Sequence, residues 1–249
     1  MRIDLVFTPQ HADEMGLRDR ALIVIDVLRA STTIATALQN GAREVIPVAT
    51  VEAAVKISAN LAGDVTLLAG ERNARMIQGF HLGNSPLEFT SEKVRGKSIV
   101  FTSTNGALAL AKGRLARELT VASFVNISQV TGHILRAPRD LTILCAGTNG
   151  TFSLEDAVCA GMIIHGLSKT PALELSLSDG ALAAMALYKS YGKSIRKMLE
   201  IGEHGRLLME LGFGDDLAYC AGVDTVPVLP LMDGNVLKLK PHASPTPQP

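Results

Sequence analysis

The sequence predicts an α/β fold: mostly parallel sheet flanked by helices. Three observations carry it. Short apolar runs have strand length, Ala-rich helical stretches alternate with them, and the runs are apolar on both faces rather than at every second residue. A strand apolar on both faces needs cover on both sides, which the crossover helices of a parallel sheet supply.

The elements follow in order. Residues 3–7 are predicted as the first strand and 22–25 as the second, followed by a helix over 31–39 that stops at Asn40-Gly41. A third strand at 45–48 leads to a helix over 51–61 stopping at Gly63, and a fourth strand occupies 65–69. Then "GERNARMIQGFHLGNSPLEF" (70–89) has little periodicity and many Gly, Asn and Pro, and long irregular connections are more often functional than incidental. The alternation resumes with strands at 98–101, 119–123 and 141–145, and helices at 107–112, 127–135 and 154–167. Residues 178–211 read as two or three helices, and 225–229 as a final strand. The whole is expected to form a single α/β unit over 1–240, with division into two subdomains left open. The Pro-rich tail "PHASPTPQP" (241–249) is predicted to be disordered.

Composition excludes several classes. With 47% apolar and 19% charged residues the chain is neither disordered nor fibrous. Lys plus Arg equals Asp plus Glu at 24 each, so no global field draws nucleic acid or an anionic membrane. Trp is absent and aromatics are scarce, against a base-stacking protein. Cys145, Cys159 and Cys220 show no CxxC or zinc spacing and read as reduced thiols. "MRIDLVFTPQHADEM" is too charged for a signal peptide, and no apolar run is long enough to cross a bilayer. The expectation is a cytoplasmic protein.

In open α/β sheets the ligand crevice lies beyond the carboxyl ends of the strands. Here five consecutive predicted strand ends release polar groups: Asp26, Arg29, Ser31 and Thr32; Glu71 and Arg72; Thr102, Ser103, Thr104 and Asn105; Asn126; and Thr148, Asn149, Glu155 and Asp156. Arg forks match phosphate oxygens, helix N-termini add N–H donors, and carboxylates with water suit Mg²⁺. Each cluster also has an ordinary explanation. Ser31 or Thr32 suits a helix cap, Ser153 with Glu155 and Asp156 fits a capping box, and Thr104-Asn105-Gly106 fits a turn. Asp26 and Arg29, or Glu71 and Arg72, suit simple ion pairs, Cys145 suits core packing, and His204 suits a helix end better than a base. The convergence of five strand ends carries the case. Familiar templates fail: DxDx[TV], GxxxxGK[ST], GxGxxG after the first strand, GxSxG and Cys-x5-Arg are all absent. The fold is therefore expected to be neither a haloacid-dehalogenase nor a P-loop fold.

The runs "IDVLRASTT", "LAGER", "GFHLGNSPLEF", "FTSTNGALAL", "SFVN" and "CAGTNGTFSLEDAVCAG" resemble the 2-phosphosulfolactate phosphatase family, known for coenzyme M biosynthesis. The resemblance runs in order from about residue 3 to residue 229. It implies a Mg²⁺-dependent phosphomonoester hydrolase with its own α/β fold, acting on (R)-2-phospho-3-sulfolactate. The family's motif positions match at Asp26, Arg29, Glu71, Arg72, Thr104, Asn105, Glu155 and Asp156, with Ser103 departing from an expected Thr. The implied catalytic set is Asp26, Arg29, Glu71, Thr104 and Asn105. Substrate binding is expected of Arg29, Ser31, Thr32, Arg72, Thr102, Asn105 and Asn126, with Arg75 as a further cation. Asp26, Glu155 and Asp156 are expected at the metal. An aspartyl-phosphate and a metal-activated water are both compatible, and the missing DxD pair favours water. Alternatives are another small anionic phosphoester as substrate, or a non-catalytic anion-binding protein. The expected partner is the small phosphoester, with no nucleic acid and no membrane; the oligomeric state stays open, a homodimer included.

Overall fold

The computed structural model describes residues 1–61, 65–171 and 173–239. Eleven strands form one sheet: β1 (Arg2–Val6), β2 (Ala21–Ile25), β3 (Glu44–Pro47), β4 (Thr66–Arg72), β5 (Arg75–Met76), β6 (Ser98–Thr102), β7 (Glu118–Ala122), β8 (Leu141–Cys145), β9 (Ser176–Leu177), β10 (Pro230–Asp233) and β11 (Val236–Leu239). The helices are α1 (Ala30–Gln39), α2 (Val51–Ala59), α3 (Ser91–Val94), α4 (Gly106–Lys112), α5 (Ile127–Arg136), α6 (Leu154–Ser168), α7 (Asp179–Tyr191), α8 (Ile195–Ile201), α9 (Glu203–Glu210) and α10 (Gly214–Cys220). The strand order is β5-β4-β6-β3-β11-β10-β7-β2-β8-β1-β9, so the α/β, mostly parallel reading holds.

Two parallel blocks make up most of the sheet. One is β4-β6-β3 and the other β7-β2-β8-β1. Strands β2, β6 and β8 are buried at every position, as their two-faced apolar runs require. Alternation then divides β2 between two cores: Ala21, Ile23 and Ile25 face a cluster with α5, α6 and α7, whereas Leu22 and Val24 face a second cluster. That second core is shared by both blocks. It holds Val121 of β7 together with Val45, Ile99 and Phe101 of the other block, and Ile34 of α1 and Leu110 of α4.

The predicted strand at 225–229 is corrected. Val226 there packs with Ala35 and Val125, and the strand-forming segment is the next one. Its β10–β11 hairpin turns at Gly234-Asn235, with Asp233 paired to Val236. The Asp-Gly turn signal was present in "PLMDGNVLKL", but the Pro residues at 227 and 230 obscured the strand that precedes it. The hairpin bridges the two blocks through single residue pairs, Leu231 with Thr120 and Leu237 with Val45, both antiparallel. Each pairing reverses direction, so the blocks run in opposite senses. A single residue pair on each side joins the blocks, and loops from the carboxyl ends of both line one cavity.

The helical region has three helices within 178–211 and a fourth, α10, beyond it. The stretch 70–89 is more ordered than its composition suggests. β4 runs on to Arg72 and turns back into β5 through Asn73 and Ala74, both with positive φ (52° and 63°). Asn-Gly is the usual signature of such a turn, and Ala at the second position hid it. The predicted helix stop at Gly63 and the tail at 241–249 lie outside the described residues.

Candidate active site

β2 ends at Ile25 between β7 and β8, so Asp26 leaves the centre of a parallel block. The Asp26 N–H donates to Ser31 Oγ (3.0 Å), and the Ser31 N–H donates to the Asp26 carbonyl (2.9 Å), closing the turn into α1. The carboxylate lies over the first turn of α1, where the Ala30 N–H reaches Oδ1 at 3.4 Å. Burial, followed by the negative charge of Glu71, pushes the Asp26 carboxyl up to about 7. Among the described residues none donates a hydrogen bond to its Oδ2, which faces Gly106, where a Cβ would stand only 2.6 Å away.

Four strand ends are tied together by two acids and one amide. Glu71 Oε1 accepts from the Thr104 N–H (2.7 Å), and Oε2 accepts from the Ala74 N–H (2.8 Å) and the Thr104 hydroxyl (3.2 Å). This joins the β4–β5 turn to the β6–α4 loop and holds Ala74 in its left-handed conformation. Asn105 Oδ1 accepts from the Asn149 N–H (3.0 Å), which brings in the loop after β8. Asp156 Oδ1 accepts from the Val27 N–H (2.9 Å) and Oδ2 from the Gly147 N–H (3.1 Å), tying the loops after β2 and β8.

Arg29 is buried and held on three sides. Its guanidinium donates to Asp216 Oδ2 (2.7 Å) and to the Ala74 carbonyl (2.7 Å), and lies 4.3 Å from the centre of the Phe213 ring. Asp216 Oδ1 in turn accepts from the Ser85 hydroxyl (2.5 Å). Asp216 is the buried ion-pair partner of Arg29.

These loops enclose a cavity of about 310 Å³. Asp26, Arg29, Glu71, Thr104 and Asn105 all line it, so the structure brings the expected catalytic set together. Arg75 lines it too; its side chain is exposed and has no ion pair or hydrogen bond among the described residues. Asn73, Asn84, Asn149 and His204 complete the polar wall, with Leu28, Leu207 and Leu211 as an apolar one.

Several expected substrate contacts do not reach the cavity. Ser31 Oγ is turned to the Asp26 N–H, and the Thr32 hydroxyl donates to the Val27 carbonyl (2.9 Å) and accepts from the Ser123 hydroxyl (2.8 Å). The Arg72 guanidinium donates to the carbonyls of Glu71 (2.8 Å) and Ala49 (3.3 Å) and to Thr102 Oγ1 (3.1 Å), so Arg72 and Thr102 brace β4 against β6. Asn126 Oδ1 accepts from the Ser123 N–H (2.9 Å), while its amide donates to the carbonyls of Val121 and Val228 (3.2 Å each). The fifth strand end therefore anchors the segment leading to β10 and does not join the site. Ser31, Thr32, Arg72 and Asn126 took backbone partners and Thr102 took Arg72; neither Ser31 nor Thr32 caps α1, whose N-cap Arg29 has no side-chain cap bond.

The metal set changes as well. Among the described residues no three His, Cys, Asp or Glu side chains are arranged to hold one metal ion. Both Asp156 oxygens accept backbone N–H groups, and neither Glu155 nor Asp156 lines the cavity. Burial raises both carboxyls, for Asp156 with added repulsion from Asp26 and Glu155. Ser153 caps α6 through the Asp156 N–H (3.3 Å), as the capping-box spacing implied. Mg²⁺ does not need a protein cage, since it binds through one or two carboxylates and keeps several waters. Asp26 fits that description: it stands in the cavity wall with Oδ2 over a glycine and free of hydrogen bonds from the described residues.

Three polar cavity residues are not among the sequence-based candidates. His204 has the second position of α9 and reads as a helix-end residue; Asn73 and Asn84 lie in the stretch without periodicity. Only "GFHLGNSP", a run with no apolar pattern to explain it, signalled Asn84 in advance.

The arrangement has counterparts in known proteins. The family model described as 2-phosphosulpholactate phosphatase matches residues 6–235. A protein of Caldanaerobacter subterraneus subsp. tengcongensis is 42% identical over 91% of this chain and 93% of its own length. One from Symbiobacterium thermophilum is 41% identical over 90% of this chain and 96% of its own. One from Thermotoga maritima is 41% identical over 96% of this chain and 98% of its own. All three carry the name probable 2-phosphosulfolactate phosphatase. With the family model spanning both parallel blocks and every loop of the cavity, the chain belongs to the 2-phosphosulpholactate phosphatase family.

Proposed function

We propose that the chain hydrolyses the phosphomonoester of 2-phospho-3-sulfolactate to sulfolactate and phosphate, with Mg²⁺ as cofactor. The names of its relatives support the substrate. The observation that carries the reading is the cavity that holds Asp26, Glu71, Arg29 and Arg75 together at the carboxyl ends of both blocks.

Charge supports the cofactor. The substrate bears roughly four negative charges at neutral pH. Asp26 and Glu71 stand in the wall, Arg29 is already paired with Asp216, and Arg75 alone adds an unpaired guanidinium among the wall residues. A dianionic phosphate approaching two carboxylates is repelled unless a cation stands between them. Asp26 would hold Mg²⁺ through Oδ2, and the bound ion would supply charge to the phosphate oxygens and a more acidic water. A protein that only senses an anion has no use for carboxylates in that place.

The chain's own groups do the rest. Arg29 uses two contacts to fix its plane, and its remaining N–H donors are available to phosphate oxygens, so its orientation is set before substrate arrives. Asn105 has its Oδ1 occupied by Asn149 and presents its NH₂ group as donor. Glu71 holds Thr104 and Ala74 in place and acts by positioning. Arg75 suits the sulfonate or the carboxylate. Leu28, Leu207 and Leu211 limit water on one side.

The test is phosphate release from 2-phospho-3-sulfolactate and a panel of other small phosphoesters, with Mg²⁺ or with chelator. The expected outcome is Mg²⁺-dependent release with the highest kcat/KM for 2-phospho-3-sulfolactate. Undiminished release in chelator would remove the cofactor, and a clearly better panel member would replace the substrate.

A further inference from the structure

Buried polar atoms in folded proteins nearly always have hydrogen-bond partners, and the exceptions call for explanation. Among the described residues three buried side-chain atoms have none: Asn84 Oδ1, Thr131 Oγ1 and His204 Nδ1. Asn84 and His204 line the cavity that holds Asp26 and Arg29; Thr131 does not. Asn84 is only 5% exposed.

Everything around these two atoms is fixed. The Thr33 hydroxyl donates to the Asn84 carbonyl (2.8 Å), and the next residue, Ser85, donates to Asp216 (2.5 Å), the partner of Arg29. His204 is set on α9 with its ring toward the Leu28 carbonyl, and Gly205 beside it is pressed against the Leu199 carbonyl. Oδ1 and Nδ1 are left without partners; Oδ1 is an acceptor, and Nδ1 is one in the tautomer that carries the ring proton on Nε2. The ionised substrate carries acceptors too, so neither atom is matched by it. Hydrolysis, however, involves two O–H donors: the attacking water and the alcohol freed at C2.

We propose that Asn84 Oδ1 and His204 Nδ1 receive the hydrogen bond of an O–H group during turnover, so that both residues touch the reacting molecules. This rests on the hydrolytic reading above. Of the two sources, the freed alcohol makes the cavity discriminate between a hydroxyl-bearing product and its deoxy analogue, whereas water makes the pair act on the chemical step.

The experiment compares wild type with Asn84→Leu and His204→Phe, variants that keep volume and remove the acceptor. Inhibition by 3-sulfolactate and by 3-sulfopropanoate, which lacks the hydroxyl, is measured beside kcat and KM. If the pair binds the alcohol, wild type prefers 3-sulfolactate by roughly tenfold to hundredfold and the variants lose that preference. If it binds water, kcat falls by a similar factor and the preference stays. Thermal midpoints are expected to be unchanged or raised, because an unpartnered buried acceptor stabilises nothing. Unchanged kinetics and unchanged preference in both variants would overturn the proposal, as would a lowered midpoint with all kinetic change explained by unfolding. His204→Gln, which restores an acceptor, should recover part of the lost function. Wild type that releases no phosphate from 2-phospho-3-sulfolactate defeats the functional reading instead, and the thermal midpoints then still decide whether the two atoms are structural.

Discussion

Asp26 shows how a single position combines stability and function. Its carboxyl is raised from an ordinary 3.8 to about 7 by burial and by Glu71, so the protonated form is favoured in the folded chain. A raised value means that this contribution is present below the ordinary value and is lost as pH rises through about 7. Metal-free wild type should therefore lose roughly 1–4 kcal/mol between pH 5 and pH 8, a part that Asp26→Asn should not lose. Denaturant unfolding at the two pH values checks this, and equal pH dependence in both proteins would count against it. The same variant should have no Mg²⁺-dependent turnover. The cysteines behave differently. Burial holds the thiols of Cys145 and Cys159 well above their usual range and that of Cys220 at about 12, which leaves all three as packing residues, as Cys145 was read.

Among the elements, α6 and α7 cross in close contact at Gly161. A Cβ on Gly161 would collide with the Ala184 carbonyl, which is backbone and cannot turn aside. Gly161→Ala should thus destabilise by roughly 1–3 kcal/mol despite the better helix propensity of Ala. The denaturation midpoint measures it, and an unchanged midpoint would show that the helices can separate freely. Element identity was largely legible in the sequence, because two-faced apolar runs and Ala-rich stretches are local patterns. What local pattern hid was the β4–β5 turn, where Ala74 takes a left-handed conformation because Glu71 and Arg29 hold its N–H and carbonyl. Arg29, distant in sequence, shares that control with Glu71, which the Thr104 loop holds in place. The strand at 225–229 misled for the converse reason, since Val226 and Val228 are apolar enough for a strand but serve a small loop core.

At the scale of the whole molecule the β10–β11 hairpin matters most. It joins the blocks by one residue pair on each side, and Leu237 of β11 is fully buried in the core that both blocks share. Leu237→Ala should cost roughly 2–5 kcal/mol, as should a comparable truncation at Ile134, which belongs to the other core. Only Leu237→Ala should also lower kcat/KM, because it loosens the joint that sets how the two groups of strand ends meet. Steady-state kinetics well below both midpoints separates the two variants, and equal loss would deny the hairpin this role.

The sequence by itself determined the alternation of strands and helices, the two-sided cover of the sheet, and the strand ends rich in polar side chains. These follow from the period of apolar residues and from turn and cap chemistry acting over a few positions. Only the tertiary structure decided which polar groups face the cavity. Ser31, Thr32, Thr102, Arg72 and Asn126 have the right chemistry for an anion, but each found a closer partner in the backbone or a neighbouring side chain. Asn84 reached the cavity beside Ser85, which is bonded to Asp216 far away in the chain, and His204 beside Gly205, which packs against Leu199 of the preceding helix. A hydrogen bond goes to whichever partner is nearest in space, and nearness here is set by two blocks of sheet meeting across a hairpin.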